Sequence, residues 1–190
     1  ITEVERRAIV NAISSYGVRS VYLIETPKAS AMGAGLDILS GEGKLVADLG
    51  GGTADIAVLS LGGVSSGISI KKAGNEMDKN IIKYMKSHYN LSIGQQMAEQ
   101  CKKEIGAVKF VDADKTFIMK GRDMVSGLPK AIEVRKSQLI PIYQRTMLEI
   151  IRGIVDVLEN TPPELNGDIL KSGIVFTGGL SKIEGLKELV

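Results

Sequence analysis

Short apolar runs alternate with helical patterns along the chain, which is typical of an α/β protein. Short or alternating apolar runs predict strands at 21–24, 44–49, 54–61, 64–72 and 174–177. Apolar residues at helical spacing predict helices over 3–16, 27–34, 75–86, 92–104 and 137–159. We expect the run 21–24 to form a buried strand and the helix over 3–16 to bury one apolar face.

The order of these elements predicts two subdomains. Three antiparallel strands followed by helices indicate a mixed sheet flanked by helices. Between the later helices, the β-rich runs 115–119 and 131–134 predict a hairpin in a small inserted α+β subdomain. We therefore assign residues 1–74 and 136–190 to the large subdomain, and residues 75–135 to the small one.

Composition limits the class of protein. The 190 residues are 44% hydrophobic and 24% charged, with a net charge of +2. These values are ordinary for a globular domain and give no argument for nucleic acid. No apolar stretch approaches the length of a membrane span, and the single cysteine fits a reducing compartment, so we expect a cytoplasmic protein. Because Ile1 stands where an initiator methionine would, we also expect a piece of a longer protein.

The segment 48–53 carries the strongest chemical signal. Asp48 ends a predicted buried strand, and Gly50, Gly51 and Gly52 lead through Thr53 to the next strand. Consecutive glycines expose their N–H groups and tolerate positive φ, so this turn can bind an anion such as a polyphosphate. A neighbouring carboxylate suits Mg²⁺ that keeps most of its waters. The alternative is a glycine-rich hairpin with a solvated aspartate.

Two weaker signals lie further along the chain. Gly178 and Gly179 follow the last predicted strand, where glycine lets backbone approach a flat or anionic ligand; a plain turn is the alternative. Glu99 and Lys102 share one face of a predicted helix and could hold a ribose, or they form a surface ion pair.

The remaining reactive residue types indicate no enzyme of a familiar kind. His88 is the single histidine, so neither a histidine-based triad nor a zinc site can form within this chain. Cys101 lies at a helical position without a histidine partner, which favours a buried structural thiol.

Taken together, these segments resemble a known superfamily. The run 48–53 resembles the second phosphate-binding motif of the actin and heat-shock-chaperone ATPases, and 173–179 resembles their adenosine motif. Within that superfamily the chain resembles the MreB family of bacterial actins that determine cell shape. Further similarity lies at 3–8, 21–25, 73–78, 89–94, 127–130 and 161–165.

The resemblance implies an actin-like, ribonuclease H-like α/β fold that binds ATP and Mg²⁺ between two domains. It implies filaments of copies or paralogues beneath the membrane, together with a membrane-anchoring cell-shape partner. It also implies that this chain is the second half of the molecule. The first phosphate loop and the membrane-contacting segments would then lie in the other half.

The resemblance also assigns roles by position. Asp48 would hold the water shell of the magnesium ion. Gly50, Gly51, Gly52 and Thr53 would contact the β- and γ-phosphates. Glu99 and Lys102 would meet the ribose and adenine, and Gly178 and Gly179 would pass beneath the nucleotide.

Two departures from the family pattern affect the expected chemistry. Thr26 stands where the family has the glutamate that orients the attacking water, and such a loss typically costs about 10²–10⁴ in rate. Leu180 replaces a glycine of the adenosine motif. We therefore expect a divergent member that binds nucleotide and hydrolyses it slowly. A small-molecule kinase, a chaperone-type ATPase or a scaffold without nucleotide are the alternatives.

Overall fold

The computed structural model describes residues 3–110 and 113–190. The strands are β1 Lys44–Leu49, β2 Ala54–Ser60, β3 Gly63–Ile70, β4 Leu91–Ser92, β5 Thr116–Asp123, β6 Pro129–Arg135 and β7 Ile174–Thr177. The helices are α1 Glu3–Ser14, α2 Thr26–Gly33, α3 Gly74–Tyr89, α4 Gln95–Ile105, α5 Lys136–Glu159, α6 Pro163–Ser172 and α7 Leu186–Leu189, with a short 3₁₀ turn at Gly179–Lys182.

The larger sheet has the strand order β3-β2-β1-β7. β1, β2 and β3 form an antiparallel meander, while β7 pairs with β1 in parallel. The helices between β3 and β7 make the long crossover that a parallel pair requires. This parallel pairing sets Asp48 directly opposite Thr177, so it brings the two predicted ligand corners to the same edge of the sheet.

Both faces of this sheet are covered, which explains why its strands read as nearly continuous apolar runs. On one face, α5 and α6 pack over the main core, to which β1 contributes Leu45, Ala47 and Leu49. On the other face, α2 packs against β1 and β2 over a smaller core containing Ala31 and Val46. The result is a three-layer arrangement of helices, mixed sheet and helix.

The predicted inserted hairpin is present as β5 and β6, and β4 adds a short third strand. α3 and α4 pack together beside this second sheet. Its buried residues, such as Met119 and Val134, belong to the same main core as Leu45. The two sheets therefore share one hydrophobic core, and the boundaries 1–74, 75–135 and 136–190 stay a prediction. Residues 1, 2, 111 and 112 lie outside the described residues.

The N-terminal helix and the run 21–24 are less buried than the sequence predicts. α1 contains no buried residue, and Val4 is 78% exposed. The predicted strand at 21–24 is wrong: these residues adopt no regular structure, and Tyr22 and Ile24 are exposed. An apolar run becomes a strand only when a neighbouring strand accepts its hydrogen bonds. None of the described strands pairs with this run.

Candidate functional site

The two glycine corners line one cleft. Gly50 and Gly51 lie on one side, and Gly179 and Leu180 lie on another. The cleft has a volume of about 510 Å³, within the usual range for a small-molecule site. Its other lining residues are Gly74, Asn75, Glu99, Lys102, Lys103, Gly106, Lys182 and Ile183. The structure thus brings five of the residues predicted for the site into one cleft: Gly50, Gly51, Glu99, Lys102 and Gly179.

The triglycine corner is shaped by close packing. None of its three glycines has a positive φ, contrary to the reason given for them from the sequence. A Cβ on Gly51 would lie 3.0 Å from Asn75 Oδ1, and one on Gly50 would lie 3.1 Å from the Thr53 carbonyl oxygen. A Cβ would therefore be crowded at Gly50 by the corner itself and at Gly51 by the start of α3, while at Gly52 it would meet no atom within 4 Å.

Backbone hydrogen bonds join the corner to α3. Gly74 N donates to the Gly50 carbonyl at 3.2 Å, and Asn75 N donates to the Gly51 carbonyl at 2.7 Å. Among the described residues, the N–H groups of Gly51 and Gly52 have no acceptor. Unpaired N–H groups at a turn are what an anionic oxygen needs, so the corner fits a phosphate.

Asp48 is the next-to-last residue of β1, beside this corner, and is half-buried. Its Oδ1 accepts a hydrogen bond of 2.9 Å from the Thr177 hydroxyl. Within the described residues, Oδ2 accepts no hydrogen bond, so one oxygen is available to a magnesium-bound water. Among those residues there is also no cluster of three or more His, Cys, Asp or Glu side chains that could hold a metal ion.

Lys102 was expected to pair with Glu99 or to meet the nucleotide, but in the structure it binds residues of α3. Its ammonium donates to the Gly74 carbonyl at 2.8 Å and lies 2.7 Å from Asp78 Oδ1 and 2.8 Å from Oδ2. Asp78 is almost completely buried, and burial raises the pKa of its carboxyl group, while the hydrogen bond from Lys102 acts in the opposite direction. Lys102 thus links α4 to the start of α3 and, through Gly74, to the triglycine corner.

Glu99 and Lys102 do not pair with each other. Glu99 forms a 2.8 Å ion pair with Lys103, and the hydrogen bond from Lys103 lowers the pKa of its carboxyl group. The Glu99 side chain is 45% exposed, so it can turn toward a ligand in the cleft. Sequence reasoning missed Lys103, Lys182 and Asp78. The sequence shows that Asp78 and Gly74 lie four residues apart on one helix. It does not show that α4 packs against this helix and brings Lys102 to both of them.

Three lysines line the cleft, Lys102, Lys103 and Lys182; Lys102 is paired with Asp78 and Lys103 with Glu99, whereas Lys182 has no ion pair among the described residues. Lysine side chains around exposed backbone N–H groups suit a polyphosphate. Leu180 is 6% exposed and packs into the main core, so only part of its side chain borders the cleft.

Thr26, Gly52, Thr53, Gly178 and Asp48 do not line this cleft. Thr53 is exposed and donates a 2.8 Å hydrogen bond to Asp55. Thr26 is the exposed first residue of α2, which packs on the sheet face opposite α5. The Ile38 carbonyl, which follows α2, accepts a 2.7 Å hydrogen bond from Gly62 N in the turn after β2.

The two other reactive side chains, Cys101 and His88, do not line the cleft. Cys101 is buried, and burial raises the pKa of its thiol to about 12, so it is the inert structural thiol expected from the sequence. His88 is at the end of α3, where its Nδ1 lies 2.9 Å from the Ser87 hydroxyl.

Comparison with known proteins decides the family. The sequence model of the MreB/Mbl protein family matches residues 1–190. The chain belongs to this family. Mbl, the cell shape-determining protein of Bacillus subtilis strain 168, is 43% identical to this MreB/Mbl-family chain over 191 residues, covering 100% of the chain and 57% of Mbl. MreB of Escherichia coli K12 is 37% identical over 189 residues, which cover 100% of this chain and 54% of that MreB.

Solved structures confirm the actin-like fold. MreB5 of Spiroplasma citri bound to AMPPNP matches with a TM-score of 0.95 and 39% identity, covering 100% of this chain and 57% of that one. The same protein bound to ADP gives a TM-score of 0.96. A MamK double helical filament, 23% identical with a TM-score of 0.79, shares the fold, covering 100% of this chain and 56% of that one.

This MreB/Mbl-family chain spans about half the length of the curated relatives that it matches. Its placement in the second half of those relatives stays a prediction. Among residues 3–110 and 113–190, no helix combines the length and the apolar composition that crossing a membrane requires.

Proposed function

We propose that this chain is the nucleotide-binding half of a bacterial actin that assembles into cell-shape filaments in response to ATP and Mg²⁺. The single observation that carries this proposal is the common cleft of the two glycine corners, with unpaired N–H groups and three lysines around it. The AMPPNP and ADP complexes of the S. citri relative support a nucleotide as its ligand. The MamK filament supports self-assembly of this fold.

In this proposal each residue has a defined task. The N–H groups of Gly51 and Gly52 receive phosphate oxygens, and Gly50 and Thr53 complete the corner. Asp48, oriented by Thr177, holds a magnesium-bound water. Glu99 faces the ribose, and Gly178 and Gly179 pass beneath the nucleotide. Lys102 keeps the corner in position through Gly74 and stands beside the adenosine. The bound metal ion would neutralise the phosphate charge.

Hydrolysis in this proposal is slow, because Thr26 carries no carboxylate to orient the attacking water. The nucleotide then acts mainly as a switch for assembly. We propose filaments of this protein, alone or with paralogues, in the cytoplasm along the membrane, where a membrane-anchoring cell-shape partner would hold them. The domain boundaries 1–74 and 136–190 for the large subdomain and 75–135 for the small one belong to the same proposal.

Exchange of Asp48 for alanine tests the switch. In the complete protein, Asp48→Ala should abolish ATP-dependent pelleting and weaken binding of a fluorescent ATP analogue in the presence of Mg²⁺. The matched control is Glu104→Ala, which removes an exposed carboxylate on α4 whose hydrogen-bond partner is Gln100. Unchanged ATP-dependent pelleting of the Asp48 variant would contradict the proposal.

A further inference from the structure

Lys136, the first residue of α5, is a completely buried lysine. Its Nζ lies 2.7 Å from Glu184 Oε1 and 5.7 Å from the centre of the Phe110 ring. Within the described part of the chain, Glu184 is its one ion-pair partner. Lysine is almost never fully buried unless a carboxylate compensates its charge, so the burial of Lys136 depends on Glu184.

Glu184 belongs to a segment that is fastened to the end of α4. Its backbone N–H donates to the Gly106 carbonyl at 3.4 Å, and its own carbonyl accepts from Val108 N at 2.8 Å. The chain that follows β7 and the chain that follows α4 therefore lie side by side here. The ion pair with Lys136 then ties both of them to the start of α5.

The two fastened segments form one wall of the cleft, which we call the second wall. It consists of Gly106 at the end of α4 and of Leu180, Lys182 and Ile183 after β7. Leu180 and Ile183 are apolar, and Gly106 has no side chain that could project into the cleft. A largely apolar surface of this kind suits the face of a purine ring.

The second wall and the triglycine corner have separate supports. The corner is bonded to Gly74 and Asn75 at the start of α3. Among the described residues, no hydrogen bond or ion pair joins residues 180–184 to residues 50–53. The phosphate end and the purine end of a bound nucleotide would therefore depend on different parts of the fold.

We propose that Lys136 and Glu184 are positioning residues that hold the second wall against the purine ring of the nucleotide. This inference rests on the proposed function, because it requires a nucleotide in the cleft. Neither residue lines the cleft, so both act through the backbone that Glu184 fastens. A buried ion pair adds little stability compared with apolar side chains of similar size. The pair thus decides where the wall stands rather than how stable the fold is.

Replacement of the pair by apolar side chains separates position from stability. In the complete protein, Lys136→Met combined with Glu184→Leu should leave the melting temperature equal or higher, because no charge is buried any longer. Affinity for a fluorescent ATP analogue with Mg²⁺ should fall about tenfold, the lower end of what one misplaced apolar contact costs. The control is Lys44→Met combined with Glu42→Leu, which removes a 2.6 Å ion pair at the start of β1, the end of that strand away from the corner. It should bind the analogue like the wild type.

A conservative variant should separate the two effects in the opposite direction. Glu184→Gln keeps the length of the side chain and an oxygen that accepts from Lys136, so the wall should stay in place. Affinity for the ATP analogue should then remain within about twofold of the wild type. The melting temperature should fall, because the buried charge of Lys136 has lost its counterion. A merely structural role would instead lower affinity and stability together.

Magnesium tripolyphosphate, which lacks the purine, tests the division of the cleft. Because the triglycine corner does not depend on the pair, the apolar double variant should bind tripolyphosphate as tightly as the wild type, measured by displacement of the ATP analogue. Equal weakening of both ligands overturns the inference, as does a double variant that binds the analogue like the wild type. If the double variant does not fold, Glu184→Gln decides, because a folded variant that has lost the analogue also overturns it.

The wild-type protein separates this inference from the proposed function. If it binds neither the ATP analogue nor tripolyphosphate, the proposed function fails. If it binds the analogue alone, the division of the cleft fails, and this inference fails with it. If it binds both and the variants depart from the stated results, only the role of Lys136 and Glu184 is overturned.

Discussion

Gly178 combines a left-handed φ of 81° with a close approach to β1. A Cβ at this position would clash with the Leu49 carbonyl and lie 2.8 Å from Asp48 Oδ1. Gly179, the next residue, has no atom within 4 Å of the place where a Cβ would stand. The two adjacent glycines therefore have different reasons for being there, which the sequence motif alone does not reveal.

We expect Gly178→Ala to destabilise the fold by at least about 1–2 kcal/mol, from the unfavourable φ alone, and to displace Asp48. Gly179→Ala should leave the free energy of unfolding unchanged within about 0.5 kcal/mol. Urea denaturation of both variants measures the difference. Equal losses of stability in the two would contradict the structural assignment.

At Thr26, a single substitution should restore fast ATP hydrolysis. In the complete protein, Thr26→Glu should raise the rate of ATP hydrolysis by about 10²–10⁴, because a carboxylate can orient the attacking water. Release of inorganic phosphate measures this rate. Thr26→Gln has the same size without the charge and should remain slow. An unchanged rate in the glutamate variant, with ATP still bound, would show that another group limits hydrolysis.

At the scale of elements, the β5–β6 hairpin depends on one carboxylate. Hydrogen bonds from Lys130 and from the backbone of Ser126 and Val125 hold the pKa of Asp123 well below its usual value of 3.8. Because the folded form holds the proton less tightly than the unfolded chain does, the stabilisation is present above about pH 4. It is lost as the pH falls below 3.8.

We therefore expect Asp123→Asn to be less stable than the wild type at pH 6, with the difference shrinking towards pH 3. Urea denaturation at the two pH values measures it. Asp168→Asn is a suitable comparison, since Asp168 also caps a backbone N–H, that of Gly43, at 3.0 Å. A gap between wild type and the Asp123 variant that stays constant with pH would contradict the predicted role of ionisation.

Element prediction succeeded where local pattern and tertiary packing agree. The strands over 44–49 and 174–177 are confirmed, and those predicted at 54–61 and 64–72 differ by one or two residues at their ends. The hairpin is longer than its β-rich runs suggested, because Gly121 to Asp123 pair with residues of β6 or with Leu91. The strand predicted at 21–24 is wrong because a strand needs a neighbouring strand to pair with, and the apolar pattern of the run does not show whether one is present.

For the whole molecule, the exposed apolar face of α1 is the main unexplained surface. Ile9 and Ile13 are only partly covered, and neither core cluster of the described residues includes α1. Since the chain spans about half the length of its curated relatives, we expect the remaining sequence to cover this face.

Hydrogen exchange measures this coverage. In the 190-residue chain, amides of α1 should exchange far faster than those of α5, ten of whose residues are buried. In the complete protein, α1 should become protected, while α5 changes little. Fast exchange of α1 in the complete protein would contradict its burial there.

The sequence by itself determined the strands of the meander, the inserted hairpin, the two glycine corners and the family resemblance, because each depends on residues close together in the chain. Tertiary structure alone decided that Lys102 is bound to Asp78 and Gly74, and that Asn75 of α3 lies close against Gly51. These features depend on the approach of α3 and α4, which the folding of the whole core brings about.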